Sequence, residues 1–231
     1  MALILSIDTA LETATICLSK DGVILGMETN SDPKNHGTFL QPAVKRLFST
    51  IKINISTIDA VAVVNGPGSY TGLRVGLASA KGLCYALNKP LIAVNTLEML
   101  ALSSINFMKQ NKEDVSDYLF CPLIDARRME VFTAMYNSSV QNVMVPQALI
   151  LDENSFEQEL QKNIIVFSGN GSGKLQNILV HPHAIFSNQF NFTKAIITIA
   201  ENLLIEKNFS NLAYCEPFYI KEVYFAVKSR I

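Results

Sequence analysis

Two acidic residues stand where strand-like runs end: Asp8 in Leu5-Ser6-Ile7-Asp8-Thr9 and Asp125 in Pro122-Leu123-Ile124-Asp125. A carboxylate in that position can hold a hydrated Mg2+ that bridges phosphates. It can equally accept backbone N–H groups of the turn that follows. Glu12 is close enough in sequence to share the Asp8 pocket. A glycine-rich junction, Asn65-Gly66-Pro67-Gly68-Ser69-Tyr70-Thr71-Gly72-Leu73-Arg74, leads from the run Val61–Val64 into an Ala/Gly-rich helical pattern ending near Pro90. Such a junction presents free N–H groups and a positive dipole end to an anion, or lets the helix dock closely on a neighbour. Ser69 and Thr71 read as helix caps; Arg74 and Lys81 read as solvated, with Arg74 near enough to the helix start to reach an anion instead.

A second glycine run, Gly169-Asn170-Gly171-Ser172-Gly173-Lys174, approaches a phosphate loop and fails. The interval from Gly169 is one residue short, and Leu175 stands where a hydroxyl would meet Mg2+. Asp8, Thr9, Gly169 and Gly171 are therefore only weak candidates for contact with a cofactor. No catalytic residue is nominated, since no nucleophile elbow with a matching histidine is present. No metal ligand is nominated either. Cys17, Cys84, Cys121 and Cys215 are scattered and read mainly as small core residues, and His181-Pro182-His183 reads as a turn with two solvated rings. Of Arg127 and Arg128, one is expected in solvent and one paired with Asp125 or Glu130.

The chain as a whole has 231 residues, 49% hydrophobic and 17% charged, with a net charge of −1. That balance predicts a well-packed fold and leaves room for an apolar face that a partner covers. It argues against a protein that grips nucleic acid by itself, because phosphate contacts demand a basic excess. With no secretory leader and no apolar run of membrane-spanning length, a cytoplasmic protein without a membrane partner is expected.

The elements that must position these residues follow from periodicity. Strands are predicted at Leu3–Ile7, Thr13–Leu18 and Val23–Thr29, with Lys20-Asp21-Gly22 as a hairpin turn. A helix is predicted over Gly37–Ser49 with Pro42 in its first turn, then a strand Ile58–Val64, a helix over 71–88 and a strand Leu91–Val94. A helix Thr96–Met108 follows, with Thr96 as its cap. Beyond the polar stretch Lys109–Asp117, strands are predicted at Leu119–Ile124, Glu130–Tyr136, Val140–Val145 and Ile164–Phe167. Helices are predicted at Ser155–Leu160 and Thr193–Leu204, before an aromatic tail through Tyr214, Phe218, Tyr219 and Phe225. The halves echo one another: each opens with a strand ending in Asp, adds a strand pair, and later runs a strand into a glycine turn. This predicts an α/β protein of two related lobes with mixed sheets flanked by helices, the second abbreviated. The lobes divide at 1–108 and 109–231, with the 193–204 helix packing back on the first. Gly72, Gly76, Ala80 and Cys84 form a small-residue strip, surrounded by Leu73, Leu77, Leu83 and Leu87, that lets a helix approach closely.

Several blocks closely resemble the bacterial TsaB (YeaZ) family. They are Ile4–Thr9, His36–Pro42, Asn65–Gly76, Asp125-Ala126-Arg127-Arg128-Met129-Glu130-Val131 and Glu216-Pro217-Phe218-Tyr219-Ile220. They span nearly the whole chain in order, and the Gly-Pro-Gly-Ser-Tyr-Thr-Gly-Leu-Arg block is the most specific. The resemblance implies the duplicated actin/hexokinase/Hsp70-like (ASKHA) fold. It also implies a non-catalytic accessory subunit of tRNA threonylcarbamoyladenosine biosynthesis that binds and activates the transferase TsaD, alongside the ATPase TsaE. On this reading the modified base is the adenosine 3′ of the anticodon in tRNAs reading codons that begin with A. tRNA is met only through the assembled complex, and a homodimer is possible without TsaD. ATP is implied for the pathway, and Mg2+ for its nucleotide chemistry. The helices over 37–49 and 71–88 are the implied partner surface, with Phe39, Leu40, Val44, Leu47, Gly72, Gly76, Leu77, Ala80 and Leu83 as candidates. Lys221 stands where the family often has Arg, keeping the charge without the planar fork. The alternatives are a nucleotide-dependent kinase or ATPase and a purely structural homodimer.

Overall fold

A computed structural model describes residues 2–32, 35–111, 114–187 and 191–221; Phe225 lies outside them. The order is β1 (Leu3–Asp8), β2 (Ala14–Lys20), β3 (Val23–Asn30), α1 (His36–Ile51), β4 (Ala60–Gly66), α2 (Tyr70–Leu87), β5 (Leu91–Asn95) and α3 (Thr96–Gln110). The second half adds β6 (Tyr118–Asp125), β7 (Glu130–Tyr136), β8 (Asn142–Ile150), α4 (Glu157–Leu160), β9 (Ile164–Ser168), α5 (Ser172–Gln176), β10 (Ala184–Phe186) and α6 (Phe192–Ile205).

Two five-stranded sheets run β3-β2-β1-β4-β5 and β8-β7-β6-β9-β10. In each, the first three strands are antiparallel neighbours and the last two join in parallel. The echo in the sequence is thus a duplicated topology. Asp21 and Gly22, at φ 49° and 77°, make the tight β2–β3 turn that their Asp-Gly chemistry favours. The three-residue β10 was not expected from the sequence; it is too short to carry a period.

Alternation along β1 divides the first core. Leu3, Leu5 and Ile7 face α1 and α2, with Leu40, Leu47, Leu77 and Ala80. Ile4 faces the other side, where Ala195, Ile196 and Ile199 of α6 cover it. Leu97, Leu100 and Ile105 of α3 pack on Phe120, Ile124 and Val166 of the second sheet, so α3 forms the layer between the sheets. The outer face of the second sheet is closed by Leu160 and Leu175 of the short α4 and α5.

Three local expectations need correction. Asn95, not Thr96, caps α3: its side chain accepts from Leu97 N and Glu98 N at 2.8 and 3.2 Å, as the β-region dihedral of a cap allows. Ser69 caps α2 by accepting from Gly72 N at 3.3 Å, while Thr71 is an exposed residue inside that helix. Pro42 sits in the second turn of α1, which begins at His36; its ring forgoes one i→i−4 bond on an exposed flank.

Candidate functional site

The glycine junction is a docking device. Thr9 is fully buried, and its Oγ1 donates to Gly72 O at 2.7 Å. A Cβ on Gly72 would lie 2.0 Å from Thr9 O, and one on Gly76 2.3 Å from Thr9 Oγ1. Ser69 N donates to Ala10 O at 2.8 Å. The strip Gly72, Gly76, Ala80 and Cys84 therefore seats α2 on the chain's own sheet, and Thr9 is unavailable to a ligand. Gly169, at φ 90°, and Gly171 do the same work in the second lobe: their Cβ atoms would fall 2.5 and 3.0 Å from Leu123 O. They let the β9–α5 turn approach β6 and form no phosphate cradle.

The two strand-end carboxylates are used locally. Asp8 Oδ1 accepts from Ala10 N at 2.9 Å. Asp125 Oδ1 accepts from Arg127 N at 2.6 Å and pairs with Lys174 Nζ at 2.9 Å. Burial pushes the Asp8 carboxyl up to about 6, against the opposing pull of the Ala10 N–H and His36. At Asp125 partial burial pulls upward, but Lys174 and the Arg127 N–H outweigh it and hold the group below its ordinary value. Arg127 and Arg128 are exposed, and the carboxylates they were expected to meet take lysines instead: Lys174 on Asp125 and Lys221 on Glu130. His181 and His183 are also not simply solvated. Their rings meet edge to face at 5.3 Å, and His183 Nδ1 lies 2.8 Å from Leu160 O.

A cleft of about 550 Å3 separates the lobes, lined by Glu12, Ser69, Tyr70, Asp125, Arg127 and Asn170 among others. Asn170 bridges it: its Nδ2 donates to Glu12 Oε1 at 2.6 Å, and its Oδ1 accepts from Asp125 N at 2.9 Å. Asp8 lines a different cavity, of about 280 Å3, which Glu12 shares. With the two aspartates in separate cavities, Thr9 buried, the first glycine junction pressed on Thr9 and Ala10 and the second on β6, these residues do not fit a Mg2+–nucleotide site. Among the described residues no group of three or more His, Cys, Asp or Glu side chains could hold a metal ion.

The partner-surface candidates divide by burial. Leu40, Val44, Leu47, Leu77 and Ala80 lie at 5% exposure or less and belong to the core beneath α1 and α2; Gly72 and Gly76 are buried as well. Their apolar periodicity is consumed by the first sheet. Phe39 and Leu83 remain partly exposed. The outward face of α2 is a second stripe, Ala78, Gly82, Tyr85 and Ala86, all exposed, with Tyr85 at 83%. A Cβ on Gly82 would meet nothing within 4 Å. Beside it a groove of about 490 Å3 runs between α1 and the following turn, lined by Lys45, Phe48, Ile53, Ile55 and Leu83.

The tail is a strap that sequence periodicity did not reveal. Lys81 Nζ donates to Ala213 O and Cys215 O, each at 3.1 Å. Phe218 N donates to Asn65 O at 2.7 Å, and its carbonyl passes where a Gly66 Cβ would be 2.4 Å away. Gly66 adopts φ 127°, so glycine is required there on both counts. Arg74, read as solvated or within reach of an anion, lies over the Tyr70 ring at 4.5 Å and donates Nε to Tyr219 Oη at 3.2 Å. Lys221 then reaches Glu130 in the second lobe. The signal for these contacts was the aromatic run Phe218-Tyr219 paired with the Tyr70–Arg74 block.

Among described residues no helix is long and apolar enough to cross a membrane. The family model described as TsaD, tRNA N6-adenosine threonylcarbamoyltransferase, matches residues 24–215. The tRNA threonylcarbamoyladenosine biosynthesis protein TsaB of Bacillus subtilis (strain 168) is 34% identical over 151 residues, 64% of this chain and 62% of that protein. TsaB of Escherichia coli (strain K12) is 34% identical over 133 residues, 58% of this chain and 54% of that protein. The matched segments thus span a little over half the length of these curated relatives. The solved structure of YeaZ from Pseudomonas aeruginosa superposes with a TM-score of 0.76 at 22% identity, over 95% of this chain and 100% of that one, and so shares the fold. The chain belongs to the family of this transferase model, is similar over 58% to 64% of its length to these two TsaB proteins, and has the two-lobed α/β fold of the YeaZ structure.

Proposed function

We propose that this chain is a non-catalytic subunit of tRNA N6-threonylcarbamoylation that binds and activates a TsaD-type transferase through the outer face of α1 and α2. The observation that carries the reading is the stripe Ala78, Gly82, Tyr85 and Ala86 beside partly exposed Leu83. Small side chains with open space above them let a partner helix approach closely, and an exposed tyrosine supplies a large rigid contact. The names of the relatives supply the pathway. On this reading the transferase acts on the adenosine 3′ of the anticodon in tRNAs reading codons that begin with A. TsaE, ATP and Mg2+ serve the assembled complex, and tRNA is met there. In the absence of the transferase the same face joins two copies of the chain, and the protein works in the cytoplasm.

Activation requires that the chain contact the competent state of the transferase better than the idle one. Purified TsaD and TsaE with ATP, Mg2+, threonylcarbamoyl-adenylate and tRNA are expected to modify tRNA strongly only when this chain is added. Magnesium-dependent nucleotide turnover by the chain alone would favour the kinase or ATPase alternative instead.

A further inference from the structure

The cavity between β1, β2 and the start of α6 has no part in the proposed function. It measures about 280 Å3, at the small end for ligand pockets. Its polar wall follows from register. Ser6 faces Cys17 and Asp8 faces Thr15 across the β1–β2 pair, so these four neighbours share one face of the sheet. Leu11, Phe192 and Ile196 supply an apolar wall, and Glu12 stands at the side shared with the interlobe cleft.

Two observations mark it as a built site. Ser6 is 2% exposed, lines the cavity, and its Oγ has no hydrogen-bond partner among the described residues. An orphaned buried hydroxyl is costly and uncommon. Asp8 is also buried; Oδ1 is held by Ala10 N–H, and Oδ2 has no partner among the described residues.

We infer that this cavity binds a small primary alkylammonium, its N–H groups donated to Asp8, Ser6 and Thr15 and its short chain laid against Phe192 and Ile196. An ammonium brings three donors to a wall that offers acceptors. Among the described residues no Lys, Arg or His lines the cavity to welcome an anion. A Mg2+ ion needs near-octahedral oxygen ligation and keeps several waters, which the apolar wall opposes.

The test titrates n-butylammonium chloride into the full chain, followed by NMR, with butyrate, butan-1-ol and MgCl2 titrated separately. The variants are Ser6→Leu, which replaces the hydroxyl by an apolar side chain, and Asp8→Asn, which keeps an acceptor for Ala10 N–H; each is first checked for a cooperative unfolding transition. Saturable binding of butylammonium is expected, weakened by about tenfold or more in either folded variant, as the loss of a charge-assisted bond implies. Butyrate is expected not to bind. The inference is overturned by no saturable binding or by equal binding in Asp8→Asn. Equally tight butan-1-ol binding would also overturn it, marking a merely apolar cavity, as would Asp8-dependent Mg2+ binding that excludes the amine.

Discussion

Replacing Asp8 by asparagine is expected to stabilise the protein at neutral pH, although it removes a charge from the most carboxylate-like feature of the sequence. Burial raises the folded-state value from 3.8 to about 6. An acid that binds its proton more tightly when folded opposes folding wherever it must ionise. Above about pH 6 that cost is fully present; it fades as pH falls through 6 and is gone below 3.8, where both states are protonated. At about 1.36 kcal/mol per pH unit, the interval corresponds to about 3 kcal/mol. Asparagine keeps a side-chain oxygen for Ala10 N–H and avoids the buried charge. Urea unfolding of wild type and Asp8→Asn at several pH values isolates this group, because other carboxylates cancel in the difference. The variant should be more stable by about 3 kcal/mol at pH 8, with the gap closing towards pH 4. A less stable variant at pH 8, or a gap independent of pH, would refute the reasoning.

Other consequences follow from the two faces of α2. Gly72→Ala forces a methyl to within 2.0 Å of Thr9 O and should cost about 3 kcal/mol in chemical denaturation. Gly82→Ala, in open space within the same helix, should instead gain about 0.5–1 kcal/mol. Leu77→Asp places a charge in the core and should abolish cooperative unfolding. Tyr85→Asp should leave the midpoint nearly unchanged, yet remove self-association and transferase binding in analytical ultracentrifugation. Tyr219→Phe deletes the acceptor for Arg74 Nε and should cost at most about 1 kcal/mol, read as a small shift of the urea midpoint.

The features legible in the sequence were those with a short period or a local chemistry. The Asp21-Gly22 turn and the repeated strand–Asp and strand–glycine pattern pointed to two related lobes with mixed sheets, and the two sheets have the same order. The strip Gly72, Gly76, Ala80 and Cys84 was equally visible, but spacing says only that something approaches closely. Its neighbour proved to be Thr9 and the sheet. The outward stripe, offset along the same helix, was hidden because Ala, Gly and Tyr carry little hydrophobic signal. Arg74, Lys81 and Lys221 find their partners across 91 to 145 residues of chain, and such long-range pairings leave no periodic trace. The Asn95 cap was displaced by one residue, since Asn and Thr both satisfy the pattern and only backbone geometry decides.

The most direct test of the central claim compares tRNA modification by a TsaD-type transferase, with TsaE, ATP and threonylcarbamoyl-adenylate, without this chain, with wild type, and with Tyr85→Asp. The account predicts strong modification with wild type and near-background levels in the other two reactions, with Tyr85→Asp fully folded. Equal modification without the chain, or undiminished stimulation by folded Tyr85→Asp, would contradict it.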